Sequence, residues 1–382
     1  MDFSFTPDQE ALRDQILEFA TRELTEGAIE RDRGGVFPHD LWEKCGEMGL
    51  QGLPVPESHG GVGLDSLSTA IALEAFGYGC RDGGLAFAIG AHLLACVIPV
   101  WRHGSEELKE RYLPGLSNGS LIAVNAITEP DSGSDAFAMK TRAVSVEGGF
   151  RIDGTKTFAS NGPVADLAVV YAATDPDRGF LGGITAFLVE KGTPGFSVGQ
   201  KFEKMGLRTA PLSELVFDDV FVPDDSVIGG VGGGGPIFNH SMEWERICLP
   251  AIHLGTMRHL LDRAVEQART RKAFGQSIGK NQAISHRIAD LKVRLEAARL
   301  LTYRSAERLE TAGTVGLDAS MTKLLVSESL VRSALDVVQI FGGYGYMDEY
   351  EVERILRDSI GSTIYSGTSE MQRNIIAGWL GL

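Results

Sequence analysis

Glu245 and Arg246 form an adjacent carboxylate–guanidinium pair of a kind that can move a proton. They stand side by side in Ser241-Met242-Glu243-Trp244-Glu245-Arg246-Ile247-Cys248-Leu249. A glutamate withdrawn from water has a raised pKa and can act as a general base near neutral pH. An adjoining guanidinium can hold it, or a substrate group, in place. The plainer alternative is a Glu–Arg pair on a solvated helix face. Glu243 and Glu370 are weaker candidates; Glu243, two residues away, falls on another side of a helix. Ser366 lies in Tyr365-Ser366-Gly367-Thr368-Ser369. Its hydroxyl cannot take a proton from carbon at neutral pH without a base of its own. His92, in an apolar run, reads as a satisfied core histidine. Cys45, Cys80, Cys96 and Cys248 are scattered, with no C-x-x-C pair. They predict reduced thiols in the cytoplasm rather than a disulfide frame or a metal site.

The elements that position these residues fall into three regions. A chain of 382 residues is too long for one simple core. Residues 1–121 read as helical: Thr6-Pro7-Asp8 offers a cap and a first-turn proline, and Leu12, Ile16, Phe19 and Ala20 follow at helical spacing. Ser66 to Phe76 reads as another helix. Residues 122–233 change period. Phe150–Gly154, Leu167–Tyr171, Thr185–Val189 and Glu214–Val222 read as strands of a small antiparallel β-domain. The run Gly229-Gly230-Val231-Gly232-Gly233-Gly234-Gly235 is a linker, or more sharply a phosphate loop, though it lacks the lysine of a P-loop. Residues 234–382 are helical again, with Ile284, Ile288, Leu291, Leu295, Ala298 and Leu301 along one face.

The formal net charge of −15 excludes a general nucleic-acid binder, which needs a basic face. The N-terminal Met1-Asp2-Phe3-Ser4-Phe5 shows no leader pattern. Leu85 to Val100 is apolar but falls short of the roughly 20 residues a membrane span needs. A buried helix is expected there.

Two long motifs and a third block carry a resemblance. They are Ala126-Ile127-Thr128-Glu129-Pro130-Asp131-Ser132-Gly133-Ser134-Asp135, Gln339-Ile340-Phe341-Gly342-Gly343-Tyr344-Gly345-Tyr346 continuing to Asp358, and Arg269-Thr270-Arg271-Lys272-Ala273-Phe274-Gly275. All three resemble the acyl-CoA dehydrogenase family, over nearly the whole chain. The resemblance implies an α+β fold: an N-terminal helical domain, a middle β-domain and a C-terminal four-helix bundle. It implies FAD, with Ile127, Thr128 and Ser134 near the ring, Phe158 and Ser160 as a wall beside it, and Thr368 and Glu370 near the adenine end or linker. Arg271, Phe274, Gln282, Gln339, Gly342 and Gly343 would reach the cofactor of a neighbouring copy, in a tetramer built as a dimer of dimers. Ser134 and Arg246 would help to position substrate. Where many relatives have tryptophan, this chain has Phe158, which leaves an electron-transfer flavoprotein or oxygen open as the acceptor.

Many members carry at the Ser366 position the glutamate that takes the α-proton of the thioester. Ser366 keeps only the backbone N–H that such a site aims at the thioester oxygen. In the branch that includes isovaleryl-CoA dehydrogenase, the base sits directly before an arginine on the helix that Glu245-Arg246 matches. Ser241–Leu249, Asn281–Asp290 and Leu356–Ser369 further resemble dehydrogenases of prolyl groups on carrier proteins. That implies a phosphopantetheine-bound prolyl substrate, with a short or branched acyl-CoA as the alternative. A flavin monooxygenase and a silent flavoprotein partner are the other readings. An acidic carrier would need a basic patch; Arg269, Arg271 and Lys272 with the stripe Arg299, Arg304, Arg308 can supply one, or the stripe is a solvated face.

Overall fold

The computed structural model describes residues 4–312 and 314–382. Residues 1–3, part of the N-terminal segment read above as free of a leader pattern, lie outside the described residues. The N-terminal helices are α1 (Pro7–Glu23), α2 (Ala28–Gly34), α3 (His39–Glu47), α4 (Ser66–Gly79), α5 (Gly83–His92), α6 (Ile98–His103) and α7 (Glu106–Ser117). The expected cap of α1 is a complete capping box: Gln9 N donates to Thr6 Oγ1 at 3.2 Å and Thr6 N to Gln9 Oε1 at 3.1 Å. Helical turns continue from α5 into α6, and Gly83–His103 is long and apolar enough to cross a membrane by length and composition. That corrects the expectation that the run is too short. The helix is nonetheless mostly buried, and His92 at its centre is fully inside. His92 Nε2 bonds Leu116 O at 2.9 Å and Ala123 N donates to Nδ1 at 3.0 Å, so it is a satisfied core histidine.

The middle region holds β1 (Ala123–Ala126), β2 (Arg142–Val146), β3 (Gly149–Ser160), β4 (Leu167–Ala173), β5 (Ile184–Glu190), β6 (Phe196–Lys201), β7 (Leu212–Pro223) and β8 (Val227–Ile228). They form one sheet in the order β6-β7-β3-β2-β4-β5-β8, with β1 beside β4. The sheet is not purely antiparallel: β1 and β2 each pair with β4 in parallel. The hairpin β2–β3 and the pair β4–β5 are antiparallel; β2 is not among the strands expected from the sequence. In β3 the register with β7 slips between Lys156 and Ala159. That bulge drives Phe158 to φ 53° and turns its ring outward, where it meets Phe202 at 5.3 Å.

The glycine run is an ordered linker. Gly232 N donates to Thr185 Oγ1 at 2.9 Å, and a Cβ at Gly235 would strike the Phe180 carbonyl at 2.3 Å. From it springs α8 (Gly234–Thr270), followed by the hairpin β9 (Lys272–Ala273) and β10 (Gln276–Ser277), α9 (Gln282–Thr311), α10 (Gly316–Phe341), α11 (Val352–Gly361) and α12 (Ser369–Trp379). Helix α8 joins two cores. Its first half packs Met242, Trp244, Ile247, Cys248 and Leu249 against the N-terminal helices. Its second half packs Leu254, Met257, Leu260 and Ala264 against α9, α10 and α11.

Candidate active site

Burial in the first of those cores takes Glu245 out of water: it is 8 % exposed. Ser366, 121 residues later, comes to the same point, and its hydroxyl donates to Glu245 Oε1. Ser366 occupies the turn between α11 and α12 at φ 58°, a left-handed conformation uncommon for a residue with a side chain. The turn is held by its carbonyls. Ser366 O accepts from Arg246 Nε at 2.9 Å and from Gln372 Nε2 at 3.2 Å, and Gly367 O accepts from Gln372 Nε2 at 2.8 Å. Thr368 caps α12 by accepting from Met371 N at 3.2 Å. Arg246 therefore fixes the backbone on which Ser366 rides, rather than pairing with an exposed partner. The solvated-face reading of Glu245-Arg246 does not describe this site.

Burial raises the Glu245 pKa, against the opposing pull of the Ser366 hydroxyl and the charges of Arg246 and Lys323. Lys323, from α10, is 2 % exposed, and its Nζ has no hydrogen-bond partner among the described residues. Burial and the neighbouring Arg246 lower its pKa to about 8. Near neutral pH it is a cation that helps the Glu245 carboxylate to form. Lys323→Met removes that help and raises the Glu245 pKa further. The acid limb of any activity that needs ionised Glu245 should move to higher pH, which a pH–rate profile would detect; an unmoved limb would refute the coupling.

A second group of residues lies along the sheet. Lys156, fully buried, donates to Ile127 O at 3.0 Å and to Glu129 Oε1 at 2.8 Å, and Thr157 N donates to Thr128 O at 2.8 Å. The carbonyls of Ile127 and Thr128 are thus taken. What this edge can offer a ligand is N–H groups and the half-buried Thr128 hydroxyl. Ser134 is exposed, Ser160 half-buried, and the Phe158 ring is 62 % exposed beside them in the sequence order of the sheet edge. The segment after β6 links this edge to the Ser366 turn: Phe202 meets Phe158, and Leu207 N donates to Asp358 Oδ1 at 2.5 Å.

A third group is remote. A groove of about 650 Å³ is lined by Arg271, Phe274, Phe341, Gly342, Gly343 and Tyr344, among others. Gln282 and Gln339 are exposed next to it in sequence, without lining it. Twenty-six residues of helix separate Glu245 from Arg271, roughly 39 Å at 1.5 Å per residue. The groove and the Glu245–Ser366 site of one chain are therefore separate places. Phe274 is 100 % exposed at φ 52°, and a Cβ at Gly342 or Gly343 would meet nothing within 4 Å. Glu370, in the first turn of α12, is exposed; Glu243 is half-buried beside Val315 and does not share the Ser366 turn.

The arginine stripe is not a free basic patch. Arg299 grips buried Glu74, with Nη2 to Oε1 at 2.6 Å, while Arg304 and Arg308 both pair with Asp318, at 3.3 and 3.0 Å. Sequence reasoning also missed Lys323, Gln372 and a pair formed by Tyr365 and His253. A lysine within the apolar period of α10 was the one visible signal for Lys323; Gln372 and His253 gave none.

Three family models match the chain: the acyl-CoA dehydrogenase N-terminal domain over residues 6–120, the middle domain over 125–220 and the C-terminal domain over 232–381. An L-prolyl-[peptidyl-carrier protein] dehydrogenase of Serratia sp. (strain ATCC 39006) is 44% identical over 382 residues, covering 100% of this chain and 99% of that protein. The mitochondrial isovaleryl-CoA dehydrogenase of Oryza sativa subsp. japonica is 38% identical over 374 residues, covering 97% and 91%. Among solved structures, the FAD complex of PigA superposes with a TM-score of 0.97 at 44% identity, covering 100% of each chain. The prolyl acyl carrier protein oxidase AnaB superposes with a TM-score of 0.97 at 43% identity, covering 99% of this chain and 100% of that one. A three-part match in chain order, with full-length relatives and the helix–sheet–helix architecture described above, makes this chain a member of the acyl-CoA dehydrogenase family.

Proposed function

We propose that the protein is an FAD-dependent dehydrogenase of an acyl thioester carried on a carrier protein, with a prolyl group as the substrate. The observation that carries the reading is Glu245 buried against Ser366, whose hydroxyl donates to its carboxylate. The prolyl assignment is supported by the full-length likeness to the Serratia prolyl dehydrogenase, to PigA and to AnaB.

The chain's own residues fit a flavin: an outward aromatic at Phe158, the Thr128 hydroxyl beside it, and a groove whose two glycines leave room for close approach. FAD, when bound, supplies the acceptor for the electron pair that leaves the acyl group. Glu245 takes the proton from the α-carbon. The Ser366 N–H donates to the thioester oxygen as enolate charge grows there. Arg246 and Gln372 hold the Ser366 carbonyl, so the N–H on that residue keeps its aim. The Ser366 hydroxyl orients the carboxylate rather than attacking.

The distance between the groove and Glu245 supports a cofactor shared between copies, in a tetramer. A wholly exposed Phe274 then finds a partner surface. Phe274→Glu should lower both FAD content and tetramer mass; unchanged values of both would refute the shared site. Four free, buried cysteines support a reducing, cytoplasmic setting. The acceptor that reoxidises the enzyme is read as an electron-transfer flavoprotein or oxygen, with exposed Phe158 at the approach to it.

The experiment is anaerobic flavin absorbance after addition of prolyl-loaded carrier protein, set beside isovaleryl-CoA and butyryl-CoA. Bleaching by the loaded carrier is expected. Bleaching by an acyl-CoA alone would transfer the enzyme to acyl-CoA oxidation with the same base. Gain of oxygen in the product of the same mixture under air would instead identify a monooxygenase.

A further inference from the structure

A small cavity of about 50 Å³ is walled by Phe87, Leu249, Ile252, His253 and Leu330, among others. Part of its wall is α8, on which Leu249 and His253 are one and two turns beyond Glu245. From the other side Tyr365 adjoins Ser366 in the chain, and its ring packs on Phe87 at 4.6 Å between centroids. Tyr365 Oη and His253 Nε2 are hydrogen-bonded at 2.8 Å. Both residues are only half-buried, and His253 lines the cavity.

Most of the other polar groups of this cavity have partners elsewhere, and His259 Nε2 faces Glu351 Oε1 at 3.5 Å. Thr256 donates to Ile252 O at 3.3 Å, Asp358 accepts from Leu207 N, and Arg81 donates to Tyr78 O at 2.5 Å. A tyrosine hydroxyl has one hydrogen and two lone pairs. The bond to His253 uses one of these, whichever ring tautomer is present, and leaves another for a ligand. Burial, with Lys323 nearby, lowers the His253 pKa to about 4, and burial raises that of Tyr365. The pair is therefore neutral around pH 7. It can hydrogen-bond an amine without drawing it into an ion pair.

We infer that the Tyr365–His253 pair is the specificity element that recognises the ring nitrogen of a small cyclic aminoacyl group. The inference rests on the function proposed above and says which of this chain's residues read the acyl group. A thioester anchored at the Ser366 N–H, with its α-carbon at Glu245, would send its ring toward this cavity. Tyr365 precedes Ser366 in the chain and touches two residues of the cavity wall, His253 and Phe87. The pair distinguishes N–H from CH₂. Tyr365 offers the contact and His253 positions it.

The test compares anaerobic flavin reduction by carrier protein loaded with L-proline and with cyclopentanecarboxylate. These acyl groups share ring size and differ by one N–H in place of CH₂. The FAD-bound wild-type enzyme should prefer prolyl. In Tyr365→Phe the prolyl-to-cyclopentanecarbonyl ratio of kcat/KM should fall about tenfold, the scale of one lost hydrogen bond to a buried partner. His253→Leu should do the same, and His253→Gln, which keeps a partner for the phenol, should restore part of the ratio. If Tyr365→Phe loses FAD, the two His253 variants decide the question. A ratio unchanged while both rates fall together would reduce the pair to packing and overturn the inference. Failure of the prolyl-loaded carrier to reduce the wild-type flavin would overturn the functional reading itself, and the recognition role with it.

Discussion

Glu245→Gln should retain FAD and lose flavin reduction by about 10³- to 10⁴-fold, near the upper end of what a positioned general base contributes. The substitution keeps the shape of the side chain and the acceptor oxygen that Ser366 Oγ addresses. It removes only the carboxylate's capacity to take a proton. Since Glu245 sits in the core of the α8 packing, the amide also spares the fold the cost of an ionised group. Flavin absorbance reports binding and reduction separately, so a folding defect and a chemical defect are distinguishable. Reduction at the wild-type rate would move the base elsewhere. The raised Glu245 pKa sets the pH dependence: the protonated acid cannot act, so the rate rises as pH climbs through a pKa above the ordinary glutamate value.

Lys156→Met should cost about 3–5 kcal/mol, the range for removing one partner of a buried ion pair. Lys156 and Glu129 are both inside, and the Lys156 ammonium also binds the Ile127 carbonyl. Glu129 is additionally fixed by Lys140 N at 2.6 Å and Thr141 N at 2.9 Å. Methionine fills the volume but strands a carboxylate with two N–H donors and no cation. Lys156→Met combined with Glu129→Gln should recover part of the loss, because the stranded charge is gone. Thermal unfolding measures both. Because the pair braces the strand end that leads into Thr128 and Ser134, FAD content should fall along with stability. A Lys156→Met protein as stable as the wild type would show that the pair is dispensable.

The parts of the fold legible in the sequence were those written in local pattern. Helical spacing in α1 and α9, the cap at Thr6 and the short strand-like runs of β3, β4, β5 and β7 between turn residues each depend on neighbours a few residues away. The parallel pairings of β1 and β2 with β4 were not legible. Alternation says which face of a strand is buried, while the choice of partner depends on contacts distant in the chain. The site divides in the same way. Glu245-Arg246 is legible only through the family resemblance, which leaves the carboxylate position at Ser366 unfilled; from the residues alone a solvated Glu–Arg pair fits as well. That the two side chains meet is a fact of packing between α8 and the α11–α12 turn. Lys323, Gln372 and His253 come from that same packing, and each belongs to a helix whose pattern alone gives a face and not a partner. The arginine stripe shows the opposite error: Arg299, Arg304 and Arg308 look basic in sequence, but Glu74 and Asp318 occupy them in space.

The central claim is that Glu245 removes the α-proton of a carrier-bound thioester. It is tested most directly by anaerobic rapid-mixing of the FAD-bound enzyme with carrier protein bearing L-proline deuterated at the α-carbon. The account predicts clearly slower flavin bleaching than with the undeuterated group, and no bleaching on that timescale in Glu245→Gln. Equal rates with and without deuterium, together with an active Glu245→Gln enzyme, would contradict it.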